Sequence, residues 1–257
     1  MSQTYSPIEH IVVDGGSTDD TVELIKRFAG RYDLRWTSEP DRGLSHALNK
    51  GIAAATGEWL YFLSGDDYLA DCGVIDRVVA WIAAHPGFSI YMGGTIGVDE
   101  DGVEIARSPL PRADTIVTRD ALLNRGAPVI HQGTFYERRV FELAGLYSEK
   151  YRTHMDYELH LRATKHFDIA GMELVVACFR KHPLALSQQS DWHRSVELFR
   201  ARTKHGGSLW HRDNLRVLKW FLATWPATRW LYRWLGGTRL HKIVARLSGS
   251  DADDGLG

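Results

Sequence analysis

The chain has 257 residues, 44% hydrophobic and 25% charged, with a formal net charge of −1, which is ordinary for a globular protein of one large domain or a domain with an appendage. Its two cysteines, Cys72 and Cys178, form neither a disulfide framework nor a metal spacing, which points to a reducing, cytoplasmic compartment. Residues 1–7 lack the basic start and apolar core of a secretory signal, and no apolar run nears the roughly 20 residues of a spanning helix.

In chain order, residues 8–13 (Ile8-Glu9-His10-Ile11-Val12-Val13) predict a strand, and a Gly-Gly-Ser turn follows. Ser17 or Thr18 is the expected cap of a helix through about Ala29. A short strand is predicted at 34–37, a helix at 43–55 ended by Gly57, and a strand at 59–63 buried on both faces. An amphipathic helix at 74–84 stops before Pro86. This β-α-β-α-β-α alternation predicts a parallel sheet with right-handed crossovers. Beyond Phe88 the pattern changes. Strands near 88–98 and 103–107 are joined by a hairpin turn at 99–102. A strand at 128–136, a short helix at 137–144, a helix from Asp156 to about His166 and a strand at 172–179 follow. There is no internal repeat and no low-complexity segment.

The first strand ends in Asp14-Gly15-Gly16-Ser17-Thr18-Asp19, and the strand at 59–63 ends in Ser64-Gly65-Asp66-Asp67. In an open α/β sheet ligands bind at the carboxyl ends of the strands. Paired carboxylates there hold a divalent cation against a diphosphate. The residues alone therefore predict a metal-dependent enzyme with a nucleotide substrate.

The block 8–19 resembles the first nucleotide-binding block of family-2 glycosyltransferases. Ser38-Glu39-Pro40-Asp41-Arg42-Gly43 with Ala47-Leu48-Asn49-Lys50-Gly51 is similar to their second block, and Phe62-Leu63-Ser64-Gly65-Asp66-Asp67 to their carboxylate block. His131-Gln132-Gly133-Thr134-Phe135-Tyr136 and Asp156-Tyr157-Glu158-Leu159-His160-Leu161-Arg162 resemble their acceptor-side blocks. The resemblance spans roughly residues 3–185 in order. It implies a GT-A fold, an α/β Rossmann-like and mostly parallel sheet, and inverting transfer of a sugar from a nucleotide-sugar donor. It also implies that a first strand and helix of the family domain, about 30 residues, are missing. The natural frame is then expected to extend upstream and to supply a neighbour for the strand at 8–13.

By the same resemblance Asp67 ligates Mg²⁺ or Mn²⁺, Asp66 faces the ribose or the metal, and Asp14 helps bind the base or ribose. Asp66 and Asp67 as turn caps, and Asp14 as a turn former, are the competing readings. Asp41 is a nucleotide contact or a helix cap. Asp156 is the general base that takes the acceptor hydroxyl proton, or the N-cap of its helix, and the two roles compete for the same oxygens. Glu158 points elsewhere and makes a structural pair. His182 lies near metal or diphosphate, or is a surface histidine. His131 and Gln132 serve acceptor or diphosphate, or are satisfied polar groups on an apolar strand. Arg180 and Lys181 offset phosphate charge or are solvated.

Between Arg194 and Arg246 twelve Lys/Arg face only two acids, and Trp220, Trp225, Trp230 and Trp234 stand among them. The expected organisation is an N-terminally truncated GT-A domain at 1–190, a helical Trp/Arg-rich segment at 191–250 and a disordered acidic tail at 251–257. The basic segment either packs on the body or anchors the protein peripherally to an anionic membrane. No nucleic-acid motif accompanies the charge. The function so predicted is transfer of a sugar to a polysaccharide or lipid-linked oligosaccharide at the inner face of a membrane. An inactive remnant and a nucleotidyltransferase are the alternatives.

Overall fold

The computed structural model describes residues 3–182 and 191–208. The chain divides into two compact units, Met1–Gln189 and Ser190–Gly257. The basic tryptophan segment at 215–247 and the acidic tail lie outside the described residues.

In the first unit, β1 (His10–Asp14) pairs in parallel with β2 (Leu34–Ser38), His10 opposite Leu34 and Asp14 opposite Ser38. The crossover is α1 (Thr21–Ala29). It starts later than predicted because Ser17 is engaged elsewhere, while Asp19 accepts the Thr21 N–H at 3.0 Å. A second helix, α2 (Leu44–Ala54), follows β2.

The next strand, β3 (Trp59–Tyr61), does not extend the β1–β2 pair. It is one end of a seven-stranded mixed sheet of order β3-β8-β5-β9-β4, in which β4 is Tyr68–Leu69, β5 Ile90–Val98, β8 Thr134–Glu137 and β9 Ile169–Arg180. Two short strands, β6 (Glu104–Arg107) and β7 (Ile116–Val117), pair with β5 and β9. β5 and β9 run parallel; β3–β8, β5–β8, β5–β6, β4–β9 and β7–β9 are antiparallel. The expectation of a strand at 59–63 buried on both faces is corrected: the strand ends at Tyr61, sits at a sheet edge, and leaves Leu63 43% exposed. The continuously buried strand is β5, where only Ile96 is not fully buried. It has strands on both sides and α3 (Val74–Ala84) packed over it through Val74 and Val78, with Tyr91, Phe135, Met172 and Val176 in the same core.

The strand predicted at 128–136 is also corrected. His131–Gly133 is a tight 3₁₀ turn, and only Thr134–Glu137 is extended. Gly133 requires the turn to be bare, since a Cβ there would collide with the Gly93 carbonyl of β5. Two helices, α4 (Arg139–Ala144) and α5 (Met155–Ala163), complete the unit. In the second unit the described helix is α6 (Asp191–Lys204), with Arg202 and Lys204 in its last turn, where the helix dipole favours cations.

Candidate active site

Asp14 is buried at the end of β1. Its Oδ2 accepts the N–H groups of Gly16 (3.1 Å) and Ser17 (2.9 Å) and the Ser38 hydroxyl (2.6 Å), and its Oδ1 accepts the Ser17 hydroxyl. The Ser17 and Ser38 hydroxyls, followed by the backbone donors, hold its carboxyl at about 2. Asp14 therefore organises the Gly-Gly-Ser turn with both oxygens. The expectation that Ser17 caps α1 is overturned, because its hydroxyl is spent on Asp14. Asp41 comes beside it. A Cβ on Gly15 would lie 2.5 Å from Asp41 Oδ2, so the missing side chain at Gly15 is what admits this carboxylate. Its Oδ1 accepts the Gly43 N–H at 2.7 Å, at the entry to α2, as a helix-entry cap would.

Past β3 the chain turns at Ser64, whose carbonyl accepts the Asp67 N–H at 3.1 Å. Asp67 is buried, with Oδ1 accepting the Arg180 N–H at 2.9 Å and Oδ2 without a hydrogen-bond partner. Burial pushes its carboxyl up to about 6, against the opposing pull of the Arg180 N–H. The neighbouring Asp66 is exposed, and its Oδ2 lies 3.0 Å from His182 Nε2. The structure thus brings His182 to Asp66, the neighbour of Asp67 in sequence. A buried carboxylate oxygen without a partner is costly, and a cation is one way to satisfy it. Among the described residues no three acidic, His or Cys groups gather into a complete cage. That donor set suits a hard divalent ion held by one or two carboxylates and by substrate phosphates.

The His131 turn and its aromatic neighbours surround Phe62. Its ring meets His131, Tyr136, Phe141 and Tyr147 at centroid distances of 5.6–5.9 Å. The Tyr61 hydroxyl donates to the Gln132 carbonyl at 2.7 Å, so the carboxylate segment and the His131 turn are tied by adjacent residues. His131 Nε2 and the Tyr147 hydroxyl share a hydrogen bond of 2.9 Å, and burial lowers the histidine's pKa. Behind them Tyr136 and His160 share one of 2.7 Å, and burial brings His160 down to about 4. The charge of Asp156 acts on all four of these groups.

Asp156 lies in the first turn of α5, one residue inside the helix, where its charge favours the helix dipole. The N-cap position is His154, which removes the capping reading of Asp156. Its Oδ1 accepts the Tyr157 N–H at 2.7 Å. Glu158 is buried and pairs with Arg162 at 2.9 Å, a structural role.

Tyr147 carries no sequence signal of its own: Asn49 clamps it, and its hydroxyl meets His131. The Arg180 side chain donates to the backbone carbonyls of Asp66 and Asp99. Asn49 stood inside a recognised block, but its partner lies 98 positions away.

Carboxylates at the end of β1 and in the turn after β3 of an α/β fold, with an aromatic cluster and a helix that starts on an acidic residue, are found here in a GT-A glycosyltransferase fold, the fold of its structural neighbours. The sequence profile of glycosyl transferase family 2 matches residues 1–143, and the chain belongs to that family. It is 32% identical over 183 residues to the "PGL/p-HBAD biosynthesis glycosyltransferase" of Mycobacterium tuberculosis, covering 70% of this chain and 68% of that one. Its fold is similar to that of S. aureus TarS residues 1–349 in complex with UDP-GlcNAc (TM-score 0.61, 15% identity, 97% of this chain and 73% of that one). It is also similar to the mannosyltransferase PcManGT of Pyrobaculum calidifontis in complex with GDP-Man and Mn²⁺ (TM-score 0.58, 16% identity, 98% of this chain and 69% of that one). A longer TarS chain is spanned over 40% of its length. No described helix is long and apolar enough to cross a membrane.

Proposed function

We propose that the protein is an inverting, divalent-cation-dependent glycosyltransferase that moves a sugar from a nucleotide-sugar to a polysaccharide or lipid-linked oligosaccharide acceptor. The observation that carries this reading is the buried, unpartnered Oδ2 of Asp67, joined through Tyr61 and Phe62 to the turn and aromatic cluster around Asp156. Relatives of the same fold hold UDP-GlcNAc, or GDP-Man with Mn²⁺, which supports a donor of that class.

Asp67, with Asp66 and His182 beside it, would hold Mg²⁺ or Mn²⁺, which when bound offsets the charge of the leaving diphosphate. Asp41, whose Oδ2 lies against Gly15, faces the nucleoside. Asp14 serves the nucleotide through the turn that it shapes. His131 and Gln132 stand between the donor and acceptor sides, His131 held neutral by burial. The Asp156 carboxylate accepts the proton of the acceptor hydroxyl as that oxygen attacks the anomeric carbon. The basic tryptophan-rich segment supplies a peripheral contact with anionic lipid; pelleting of the full chain with anionic liposomes, reversed by salt, tests it.

The deciding experiment incubates the purified chain with nucleotide-sugars, Mn²⁺ and candidate acceptors. Release of nucleoside diphosphate with glycosylated acceptor supports the proposal. Release of pyrophosphate would mean a nucleotidyltransferase, and no turnover with any donor would mean a remnant.

A further inference from the structure

Arg180 ends β9, and its side chain is committed to main-chain oxygens. Nε donates to the Asp66 carbonyl at 3.3 Å, and Nη1 donates to the carbonyls of Asp99 (3.1 Å) and Glu100. The guanidinium carbon lies 5.9 Å from the centre of the Tyr68 ring, the residue after Asp67. No carboxylate forms a salt bridge with it among the described residues. Asp99 and Glu100 belong to the turn of the β5–β6 hairpin, which has its own frame: Asp99 Oδ1 accepts the N–H groups of Asp101 (3.1 Å) and Val103 (2.8 Å). One planar fork therefore spans two segments far apart in sequence, the Asp66–Asp67 turn and the hairpin tip.

We propose that Arg180 is a positioning residue for the carboxylate pair, fastening the Asp66–Asp67 turn to the β5–β6 hairpin so that Asp67 Oδ2 stays aimed at a divalent cation. The inference rests on the reading of Asp67 as a cation ligand. A guanidinium beside a cation site has two effects of opposite sign. Its charge repels the ion, so a bystander arginine weakens binding and its removal tightens it. Its hydrogen bonds hold the ligand's backbone, so removal of a positioning arginine loosens binding, as loss of a group that orients a ligand does. Lysine separates the two effects, because it keeps the charge and cannot reproduce the planar fork.

The test titrates Mn²⁺ alone into the full chain and reads free Mn²⁺ by electron paramagnetic resonance. The proteins compared are wild type, Arg180→Lys, Arg180→Met and Asp67→Ala. Amide hydrogen exchange is followed at 99–104. Weakening of Mn²⁺ binding in both Arg180 variants, about ten- to a hundredfold, with faster exchange at the hairpin tip, is the expected result. Binding in Arg180→Lys equal to wild type, or tighter binding in Arg180→Met, overturns the proposal. If Arg180→Met does not fold, the lysine variant decides alone. If wild type binds no Mn²⁺, or Asp67→Ala binds it as well as wild type, the cation reading of Asp67 falls and takes this inference with it.

Discussion

Asn49 of α2 holds Tyr147 by both of its backbone polar groups: Nδ2 donates to the Tyr147 carbonyl and Oδ1 accepts the Tyr147 N–H, each at 2.9 Å. The Tyr147 hydroxyl in turn meets His131. Helix α2 thereby sets the position of His131. Two further contacts run the same way, a bidentate Arg42–Glu149 pair and the Ser45 hydroxyl on the Tyr151 carbonyl.

Asn49→Ala should cost about 2 kcal/mol, because it strands a donor and an acceptor of a partly buried backbone. Tyr147→Phe keeps the clamp and removes only the hydroxyl. It should leave the melting temperature within a few degrees of wild type and lower turnover. Denaturant unfolding of the first variant and donor-dependent turnover of the second check this. Turnover in Tyr147→Phe equal to wild type would show that the His131 contact has no part in the reaction.

The Asp67 carboxyl, raised to about 6 by burial, gives a pH dependence with a defined sign. Burial disfavours its charged form, so the cation-free fold is penalised as pH rises through 6, and protonation relieves the penalty as pH falls. A cation needs the charged form. Mn²⁺ should therefore raise the melting temperature strongly at pH 7.5 and little at pH 5, and its affinity should fall about tenfold per unit below pH 6. Asp67→Asn should abolish the shift at both pH values. A Mn²⁺ shift as large at pH 5 as at pH 7.5 would contradict the assignment.

What was legible in the sequence follows from the range of each signal. The helix at 74–84 was read to the residue because an apolar stripe and Pro86 are local marks. The α/β class and the carboxylate blocks were legible for the same reason. The strand at 59–63 was misread because a continuous apolar run marks burial but not which side chains receive it. Phe62 and Leu63 leave the sheet, and Phe62 becomes the hub of an aromatic cluster formed by residues far along the chain, from His131 to Tyr147. His131 was placed on a strand because nothing in its vicinity announces the close approach of Gly133 to Gly93. Ser17 does not cap α1 because Asp14, three residues before it, competes with the helix for its hydroxyl.

Asp156→Asn separates base from scaffold. The amide carbonyl can still accept the Tyr157 N–H that Oδ1 now accepts, so the first turn of α5 should persist. The amide cannot take a proton. Turnover should fall about 10²–10⁴-fold, while nucleotide-sugar affinity and melting temperature stay close to wild type. Single-turnover rates and donor titration on the same preparation read both quantities. A variant with near-normal turnover would move the base elsewhere.

Gly133→Ala tests whether the His131 turn must sit where it does. A Cβ at 133 meets the backbone carbonyl of Gly93 inside the sheet, and neither partner is a side chain that can rotate away. Gly93 is itself enclosed, since a Cβ there would approach Val176 Cγ2 at 2.6 Å and the Leu174 carbonyl at 2.7 Å, so β5 has no room to retreat. The turn must then shift outward, and it carries the His131–Tyr147 bond and the Gln132 carbonyl that receives the Tyr61 hydroxyl. Overpacking of this kind costs about 1–3 kcal/mol. The expected result is a folded protein of lower melting temperature whose turnover falls further than its donor affinity. Recovery of full turnover at low temperature, where the variant is entirely folded, would mean that the turn tolerates displacement and that the position of His131 is not critical to the reaction.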